Sequence, residues 1–230
     1  HCPGIECTFL LLENAIEYLT DKAEATNAEV VAAPFFFYYS ENKMDISGHF
    51  SFQEMTGMEY FNEILSGRAY WSVWSNFLSR SLFERNDISF VPEISFGEDA
   101  ILMVQLLYHT QKVVALEQPI LYYRQIESSI CHDITPKRHE DLRTYTKWIE
   151  RFMIEKGLYE SYRNNLILKN IEMAFLCMHW GYYENADKDM KRIVKDIKKR
   201  PQLLKCLPGR QRKIIKVYRF SSWLGFLNLM

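Results

Sequence analysis

Residues 88–99 read ISFVPEISFGED, and the apolar stretch AILMVQLLYHT follows at residues 100–110. The apolar stretch predicts a helix from Glu98 to Thr110, opened by a loop that ends at Gly97. Beyond it, two short apolar and aromatic runs predict strands at Val113 to Leu116 and at Pro119 to Arg124. A helix that leads into buried strands is typical of a mixed α/β fold.

The sequence before this stretch has the same mixed character. Residues 13–27 predict an amphipathic helix, with its apolar positions at Ala15, Ile16, Leu19 and Ala23. The apolar run from Val30 to Tyr39 predicts a buried strand that breaks at Pro34, because proline cannot donate a ladder hydrogen bond. The segment from Ser40 to Gly48 is rich in turn-forming residues.

The remaining segments complete the predicted order of elements. Helices are predicted at Gly57 to Ser66 and at Val73 to Glu84, and a short strand at Ile88 to Val91. From about Lys137 the pattern is helical almost to the end, with interruptions at Pro201 and at Pro208-Gly209. The prediction is therefore an α/β domain over residues 1–130, a helical extension over 131–186 and a basic helical tail over 187–230.

The pair Glu98-Asp99 allows two interpretations. Two carboxylates in the first turn of a helix are stabilised by its free N–H groups and partial positive charge, which is a structural role. Alternatively, one carboxylate at a loop-to-helix junction faces a cleft and takes the proton from an attacking hydroxyl as general base. The pair alone does not decide between them.

The order of the surrounding motifs is more specific. A Val-Trp stretch at Val73-Trp74 precedes the Pro-Glu-Ile-Ser-Phe loop and Gly97-Glu98-Asp99, and a Leu-Tyr-Tyr-Arg strand end follows at residues 121–124. This order resembles the second half of the family 2 glycosyltransferases of GT-A fold that build bacterial surface polysaccharides. The resemblance covers roughly residues 13 to 130.

The resemblance implies roles for several residues. Asp99 corresponds to the catalytic base that deprotonates the acceptor hydroxyl in an inverting transfer of a hexose from a nucleotide sugar, and Glu98 to a neighbouring acceptor-binding or structural group. Arg124 corresponds to a basic residue that helps hold the diphosphate or the acceptor, although a surface arginine explains it equally. Trp74 and Tyr123 are further candidates for substrate contact, with a core position as the alternative for Trp74. Asn76 stands where the family usually has a lysine.

The donor-binding parts of such enzymes are not recognised in this sequence. The complete family enzyme uses an Asp-x-Asp motif to place Mn²⁺ or Mg²⁺ on the donor diphosphate. The Asp-x-Asp at Asp187-Lys188-Asp189 lies in the late helical region, where it is expected on a helix surface. His132 is a weak metal candidate, because its spacing from other ligands matches no standard set. We therefore expect the nucleotide-sugar-binding half to be missing and the metal site with it.

Charge divides the chain sharply. Residues 188–230 contain 13 Lys and Arg against two acidic residues, so this tail carries +11 and the first 187 residues carry −12. Arg212, Lys216 and Arg219, with Lys213 adjacent, predict a basic stripe on an amphipathic helix. Such a helix fits an anionic membrane surface or packs on its own domain with a solvated charged face. Nucleic-acid binding is the weaker interpretation, since no recognition motif accompanies the charge.

Composition sets the outer limits. Hydrophobic residues make up 48% and charged residues 25% of 230 residues, which excludes a disordered chain. The five cysteines are widely spaced apart from Cys2 and Cys7, so free thiols in a reducing cytoplasm are expected, with peripheral attachment at the inner face of the plasma membrane. Two functions stay open: a glycosyltransferase acting on a glycan or lipid-linked acceptor, or a non-catalytic remnant or accessory domain that binds acceptor or membrane.

Overall fold

The computed structural model describes residues 9–92, 94–125 and 135–227. The chain divides into two compact units, His1–Asp133 and Ile134–Met230. The first unit is mixed α/β and the second is helical throughout its described residues. Residue 187, where a separate tail is predicted to begin, lies inside a continuous helix of the second unit.

Two four-stranded sheets form the α/β unit. One has the order β1 (Phe9–Leu11), β8 (Leu121–Arg124), β3 (Phe36–Ser40), β4 (Lys43–Ile46). The other has the order β5 (Glu54–Met55), β7 (Val113–Ala115), β2 (Val30–Ala32), β6 (Asn76–Leu78). In each sheet the two central strands are parallel and both outer strands are antiparallel to their neighbours.

The same two chain segments supply the parallel centre of both sheets. β2 continues through Pro34 into β3, and β7 continues into β8. Between the sheets they stay hydrogen-bonded, since Leu116 N donates to Ala32 O at 2.8 Å and Ile120 N donates to Pro34 O at 3.0 Å. The predicted break at Pro34 is therefore a bend between two sheets rather than the end of a strand.

The described residues of this unit form four α-helices: α1 (Ala15–Thr26), α2 (Gly57–Leu65), α3 (Arg80–Arg85) and α4 (Glu98–His109). Every side chain from Ala100 to Leu107 in α4 is buried, which explains its apolar sequence. The N-terminus of α2 closely approaches the C-terminus of α4, and Gly57 N donates to Thr110 O at 3.1 Å. A Cβ atom at Gly57 would lie 2.1 Å from Leu107 O, so only glycine fits there.

The helical unit contains α5 (Pro136–Glu155), α6 (Tyr159–His179), α7 (Tyr183–Lys199), α8 (Gly209–Phe220) and α9 (Ser222–Leu227). A 3-10 helix at Pro201–Cys206 separates α7 from α8, so both predicted interruptions are confirmed. The core of the unit is formed by apolar side chains from four of these helices. Its most deeply buried members include Leu142, Met153, Ile171, Met190 and Ile215.

The predicted helix from Val73 to Glu84 is wrong. A 3-10 helix at Val73–Ser75 leads into β6, and α3 follows. Side chains of this segment bond to the nearby backbone instead. Asn76 Nδ2 donates to Ser72 O at 2.9 Å, and Ser75 Oγ donates to the same oxygen at 3.0 Å. Such local bonds compete with a regular helix.

Three smaller predictions also differ from the structure. Ile88 to Val91 is not a strand, because Ser89 bonds to the buried side chain of Gln105 in α4 instead of to another strand. The turn-rich segment contains β4, which forms a hairpin with β3. Ile16 is exposed rather than on the apolar face of α1. The helices predicted from residues 13, 57 and 98 and the strands β7 and β8 are confirmed.

Candidate functional site

The candidate site is built around the first turn of α4. Gly97 precedes this helix with a φ of 88°, a left-handed conformation that favours glycine. The chain thereby turns sharply and places Glu98 and Asp99 in the first turn. Their carboxylates lie where the helix dipole and unsatisfied N–H groups stabilise negative charge.

Asp99 is held by the segment that contains Trp74. The backbone N–H of Val73 donates to Asp99 Oδ2 at 3.2 Å. Burial raises the pKa of the Asp99 carboxyl above its ordinary value, and the hydrogen bond from Val73 opposes that rise only in part. A half-buried carboxylate with a raised pKa accepts a proton more readily than an exposed aspartate does, as a general base requires.

A buried hydrogen-bond network fixes the position of Val73. Tyr60 of α2 donates from its hydroxyl to Asn76 Oδ1 at 3.1 Å, and Asn76 in turn donates to Ser72 O. Asn76 is buried, so this side chain serves the structure rather than an anionic ligand. The departure from the family's usual lysine therefore falls at a position that faces the interior.

Six aromatic rings form a continuous cluster beside Val73, here called the aromatic wall: Phe9, Phe35, Phe37, Tyr70, Trp74 and Tyr123. Trp74 packs against three of the other rings, with centroids 4.7 Å from Phe9, 4.7 Å from Phe35 and 5.0 Å from Tyr123. Phe9 and Tyr70 are the exposed members. Trp74 and Tyr123 are half-buried, so they both pack in the core and reach the surface.

Arg124 does not join this group. Tyr123 and Arg124 are consecutive in β8, and consecutive side chains of a strand point to opposite faces of the sheet. Tyr123 contacts Trp74 and Phe9, whereas Tyr122, on the same face as Arg124, contacts Phe36 and Tyr38. The structure thus brings Asp99, Trp74 and Tyr123 to one region and leaves Arg124 exposed on the other face of the sheet.

The metal candidates can be placed only in part. His132 lies outside the described residues. Asp187 pairs with Lys191 at 2.6 Å and Asp189 with Arg143 at 3.5 Å, so both carboxylates of this Asp-x-Asp are engaged in the helical unit. Across residues 9–92, 94–125 and 135–227, no group of three or more His, Cys, Asp or Glu side chains could hold a metal ion. We derive no catalytic step through a metal from these residues.

Sequence reasoning missed Tyr70 and the backbone of Val73. Tyr70 packs edge-on against Phe35 at 5.1 Å and donates from its hydroxyl to Ser47 O at 3.0 Å. The available signal is the density of aromatic residues at 70–74, YWSVW, which places three large rings within five positions. A backbone N–H that positions a carboxylate has no signal in the sequence.

A small cavity of about 30 Å³ lies elsewhere, in the helical unit. It is lined by residues of α5, α6 and α7, among them Arg143, Asn170, Cys177 and Arg192. It contains none of the predicted site residues, and its two arginines already pair with Asp189 and Glu150. The cavity therefore offers no reacting group to the chemistry expected at Asp99.

The basic residues predicted to form one stripe on α8 differ in their contacts and exposure. Arg212 donates to Lys205 O and Leu207 O, which ties it to the preceding 3-10 helix. Lys213 and Lys216 are exposed, and Ile214, Ile215 and Tyr218 face the core of the unit. Within the part of the chain that the structure describes, no helix combines the length and apolar character needed to cross a membrane.

Comparison with known proteins finds similarity to glycosyltransferases. No protein-family model matches the chain. In sequence, it is 23% identical over 188 residues to the uncharacterized glycosyltransferase EpsJ of Bacillus subtilis, an alignment that covers 78% of this chain and 54% of EpsJ. The chain is thus similar to a glycosyltransferase and spans about half the length of this relative.

Solved structures agree in fold. Residues 1–349 of S. aureus TarS in complex with UDP-GlcNAc superpose with a TM-score of 0.60 at 12% identity, covering 96% of this chain and 63% of that one. The same TarS fragment in complex with UDP gives a TM-score of 0.52 at 14% identity, covering 98% and 65%. The predicted likeness to a glycosyltransferase is confirmed at this level, and the assignments to family 2 and to an inverting mechanism stay predictions.

Proposed function

We propose that the α/β unit is the acceptor side of a nucleotide-sugar-dependent glycosyltransferase, with Asp99 as the general base. The observation that carries the proposal is the position of Asp99, half-buried in the first turn of α4 and held by the N–H of Val73, the residue that precedes Trp74 of the aromatic wall. The similarity to EpsJ supports the class of reaction. The resemblance to family 2 enzymes supports inversion at the anomeric carbon.

The proposed step balances as a single displacement. The acceptor hydroxyl oxygen forms a bond to the anomeric carbon of the donor while its proton passes to the Asp99 carboxylate. The bond between the anomeric carbon and the diphosphate oxygen breaks, and the nucleoside diphosphate leaves with the electron pair. Because attack comes from the side opposite the leaving group, the configuration inverts.

The neighbouring residues orient the acceptor. Trp74 and Tyr123 offer ring faces against which the apolar face of a sugar packs, and Tyr70 extends this surface toward solvent. Glu98 supplies a second carboxylate for hydrogen bonds to acceptor hydroxyls. Arg124 lies on the opposite face of its sheet. It can contact the anionic part of a substrate only if that part extends around the edge of the sheet.

The donor class follows from the neighbours in fold. TarS has been solved with UDP-GlcNAc and with UDP, so a UDP-linked hexose or N-acetylhexosamine is the first donor to test. The acceptor is proposed to be a glycan or a lipid-linked saccharide of a surface polysaccharide. A divalent metal belongs to the complete family enzyme, and the described residues of this chain contain no group of three or more His, Cys, Asp or Glu side chains that could hold it.

The decisive experiment measures UDP release from UDP-GlcNAc, UDP-glucose and UDP-galactose with Mn²⁺ or Mg²⁺ and a panel of short glycan acceptors. Asp99→Asn keeps an acceptor for Val73 N–H but removes the base, so acceptor-dependent release should fall by about 10²- to 10⁴-fold. Asp87→Asn, an exposed aspartate of the same unit, is the matched control and should retain activity. An active Asp99→Asn variant would exclude Asp99 as the base.

A non-catalytic acceptor-binding or accessory domain is the second candidate. The observation in its favour is that the described residues contain no metal-ligand group. Calorimetric titration with UDP-sugars separates the two candidates. A folded chain that binds no donor with either metal and releases no UDP, yet binds glycan acceptors through Trp74, supports the accessory role.

A further inference from the structure

The end of the helical unit exposes large apolar side chains in a row. Phe220 is 88% exposed, Trp223 67% and Leu224 39%. Phe220 ends α8, and Trp223 and Leu224 begin α9 after a single extended residue, Ser221. An exposed Phe and Trp within four positions are costly in water unless another surface covers them.

The orientation of these side chains is set by the packing beneath them. Gly225 of α9 lies against the ring of Tyr218, where a Cβ atom would be 2.4 Å from ring carbons. Tyr218 is buried and donates from its hydroxyl to Asp187 Oδ1 of α7 at 3.0 Å. Since Gly225 faces α8 and Trp223 is two positions away on a helix, Trp223 points outward.

Basic residues share the exposed face of α8 with Phe220. Lys213, Lys216 and Phe220 are spaced three and four residues apart on α8, so they lie on one side of the helix, opposite the buried Ile214, Ile215 and Tyr218. From Ile197 to Met230 the sequence contains nine Lys and Arg and no Asp or Glu. Exposed aromatic side chains are therefore combined with uniformly positive charge.

We propose that this end of the helical unit, with Lys213, Lys216, Phe220, Trp223 and Leu224 as its contact residues, docks on the surface of an anionic lipid bilayer. Trp and Phe are favoured at the boundary between headgroups and acyl chains, and lysines are attracted to anionic headgroups. The absence of acidic residues over this stretch of sequence removes repulsion from such a surface. The inference is independent of the proposed activity.

Two other kinds of partner would bind this surface in different ways. A second copy of the chain docked through this same end would bring two positive surfaces together, which charge repulsion opposes. Single-stranded nucleic acid would bind through positive charge and stacking aromatic rings alone, and this binding would not require a bilayer. Both are tested as separate outcomes below.

The experiment measures co-sedimentation of the whole chain with vesicles of phosphatidylcholine alone and of phosphatidylcholine with phosphatidylglycerol at 3:1. Binding is expected only with phosphatidylglycerol and should weaken as salt rises from 0.1 to 0.5 M. Lys213→Glu/Lys216→Glu should weaken binding about 25-fold or more, at roughly fivefold per lysine. Phe220→Ser/Trp223→Ser should weaken it about tenfold.

Matched controls lie on α5. Lys147→Glu/Arg151→Glu makes the same charge change and Ile154→Ser removes an exposed apolar side chain, 57% accessible, so both should bind vesicles like the original chain. Thermal unfolding of every variant confirms that it folds. Three outcomes would overturn the proposal: no vesicle binding, equal binding to both lipid mixtures, or equal loss in the controls. Dimerisation or oligonucleotide binding that is lost in the α8 and α9 variants, without vesicle binding, also overturns it.

Discussion

The two units of this chain carry opposite charge and use polar groups differently. The α/β unit, His1–Asp133, has seven Lys and Arg against 19 Asp and Glu, and the helical unit, Ile134–Met230, has 21 against ten. In the α/β unit, polar side chains such as Ser75, Asn76 and Gln105 are buried and bonded to backbone. In the helical unit, ion pairs on helix surfaces predominate, as between Arg163 and Asp196.

This difference indicates where precise geometry is maintained. A buried polar group must keep its partner, because leaving it unsatisfied costs far more than an exposed ion pair contributes. Such buried bonds hold the candidate site in place. They run from Tyr60 through Asn76 to Ser72, and the next residue, Val73, donates its N–H to Asp99. The helical unit has positive surface charge instead, which suits attraction to a partner rather than positioning of a reacting atom.

The largest difference between the units is expected at two glycines. Gly57→Ala places a Cβ against Leu107 O and should lower the stability of the α/β unit by about 3 kcal/mol. Gly209→Ala at the start of α8 meets nothing within 4 Å and should change stability by less than about 1 kcal/mol, in the favourable direction. Calorimetric unfolding of both variants checks this, and equal effects would mean that the close approach of α2 and α4 is not rigid.

Removal of one buried amide should have the next largest effect. Asn76→Ala leaves the buried Tyr60 hydroxyl without its acceptor and removes one of the two side-chain bonds to Ser72 O, and it should cost about 1–3 kcal/mol. Asn164→Ala, at an exposed position of α6, is the matched change in the helical unit and should be neutral or slightly stabilising. If urea unfolding gives the two variants the same midpoint shift, the network around Asn76 contributes nothing particular.

Acid should act on the two units in opposite directions at Asp99 and His139. The pKa of Asp99 is raised by burial, so the stabilising contribution of its protonated form is complete below about pH 3.8 and is lost as pH rises through the folded-state pKa. Asp99→Asn should therefore be more stable than the original chain at pH 7, and this advantage should shrink as the pH is lowered. A constant difference between pH 4 and 7 would contradict the shift.

For His139, the pH dependence of stability has the opposite sign. It is buried, stacked on Tyr182 at 3.8 Å and close to Arg143 and Asp189. Burial and the charge of Arg143 lower its pKa below the ordinary 6.5, against an opposing effect of Asp189. Its contribution is present above pH 6.5 and is lost as pH falls through the folded-state pKa, so His139→Gln should flatten the acid limb of unfolding below pH 6.5. An unchanged limb in melting curves of this variant would exclude His139 as its source.

The smallest effect is expected for the ion pairs. Lys191→Ala breaks its pair with Asp187 and should cost about 0.5 kcal/mol at low salt and less at 1 M salt. Lys188→Ala, exposed on the same helix, serves as control for general charge loss. A loss for Lys191→Ala as large as that of Asn76→Ala would remove the distinction drawn between the two units.

The sequence predicted the elements whose apolar patterns are long and simple. α4 and the strands β7 and β8 follow from uninterrupted apolar runs, and the helical second half follows from periodicity with prolines at its breaks. The segment from Val73 to Glu84 was misassigned because its apolar spacing also suits a helix, while the deciding bonds come from Asn76 and Ser75 to Ser72 O. Those bonds depend on Tyr60, which is distant in sequence.

The candidate site was predictable to a similar extent. Asp99 and its loop-to-helix position follow from Gly97-Glu98-Asp99 and its neighbours, and its partner, a backbone N–H, does not. The resemblance assigns both Arg124 and Tyr123 to substrate contact, yet consecutive side chains of a strand point to opposite faces of the sheet. The register of β8 between β1 and β3 determines which of the two reaches the aromatic wall.

The pairing of the earliest described strand with the latest one has a consequence during synthesis. β1 lies beside β8, and β2 and β3 obtain their parallel partners only from residues 113–124. At roughly 5–20 residues per second, a ribosome needs about 5–25 s after making β1 to complete β8. During that interval β1 has no partner strand, and β2 and β3 have only their antiparallel neighbours β6 and β4. The helices that follow make mostly local contacts and form far faster than such long-range sheets. The two sheets of the α/β unit are thus completed only after its last strand emerges, which lengthens the time for which its apolar strands are exposed.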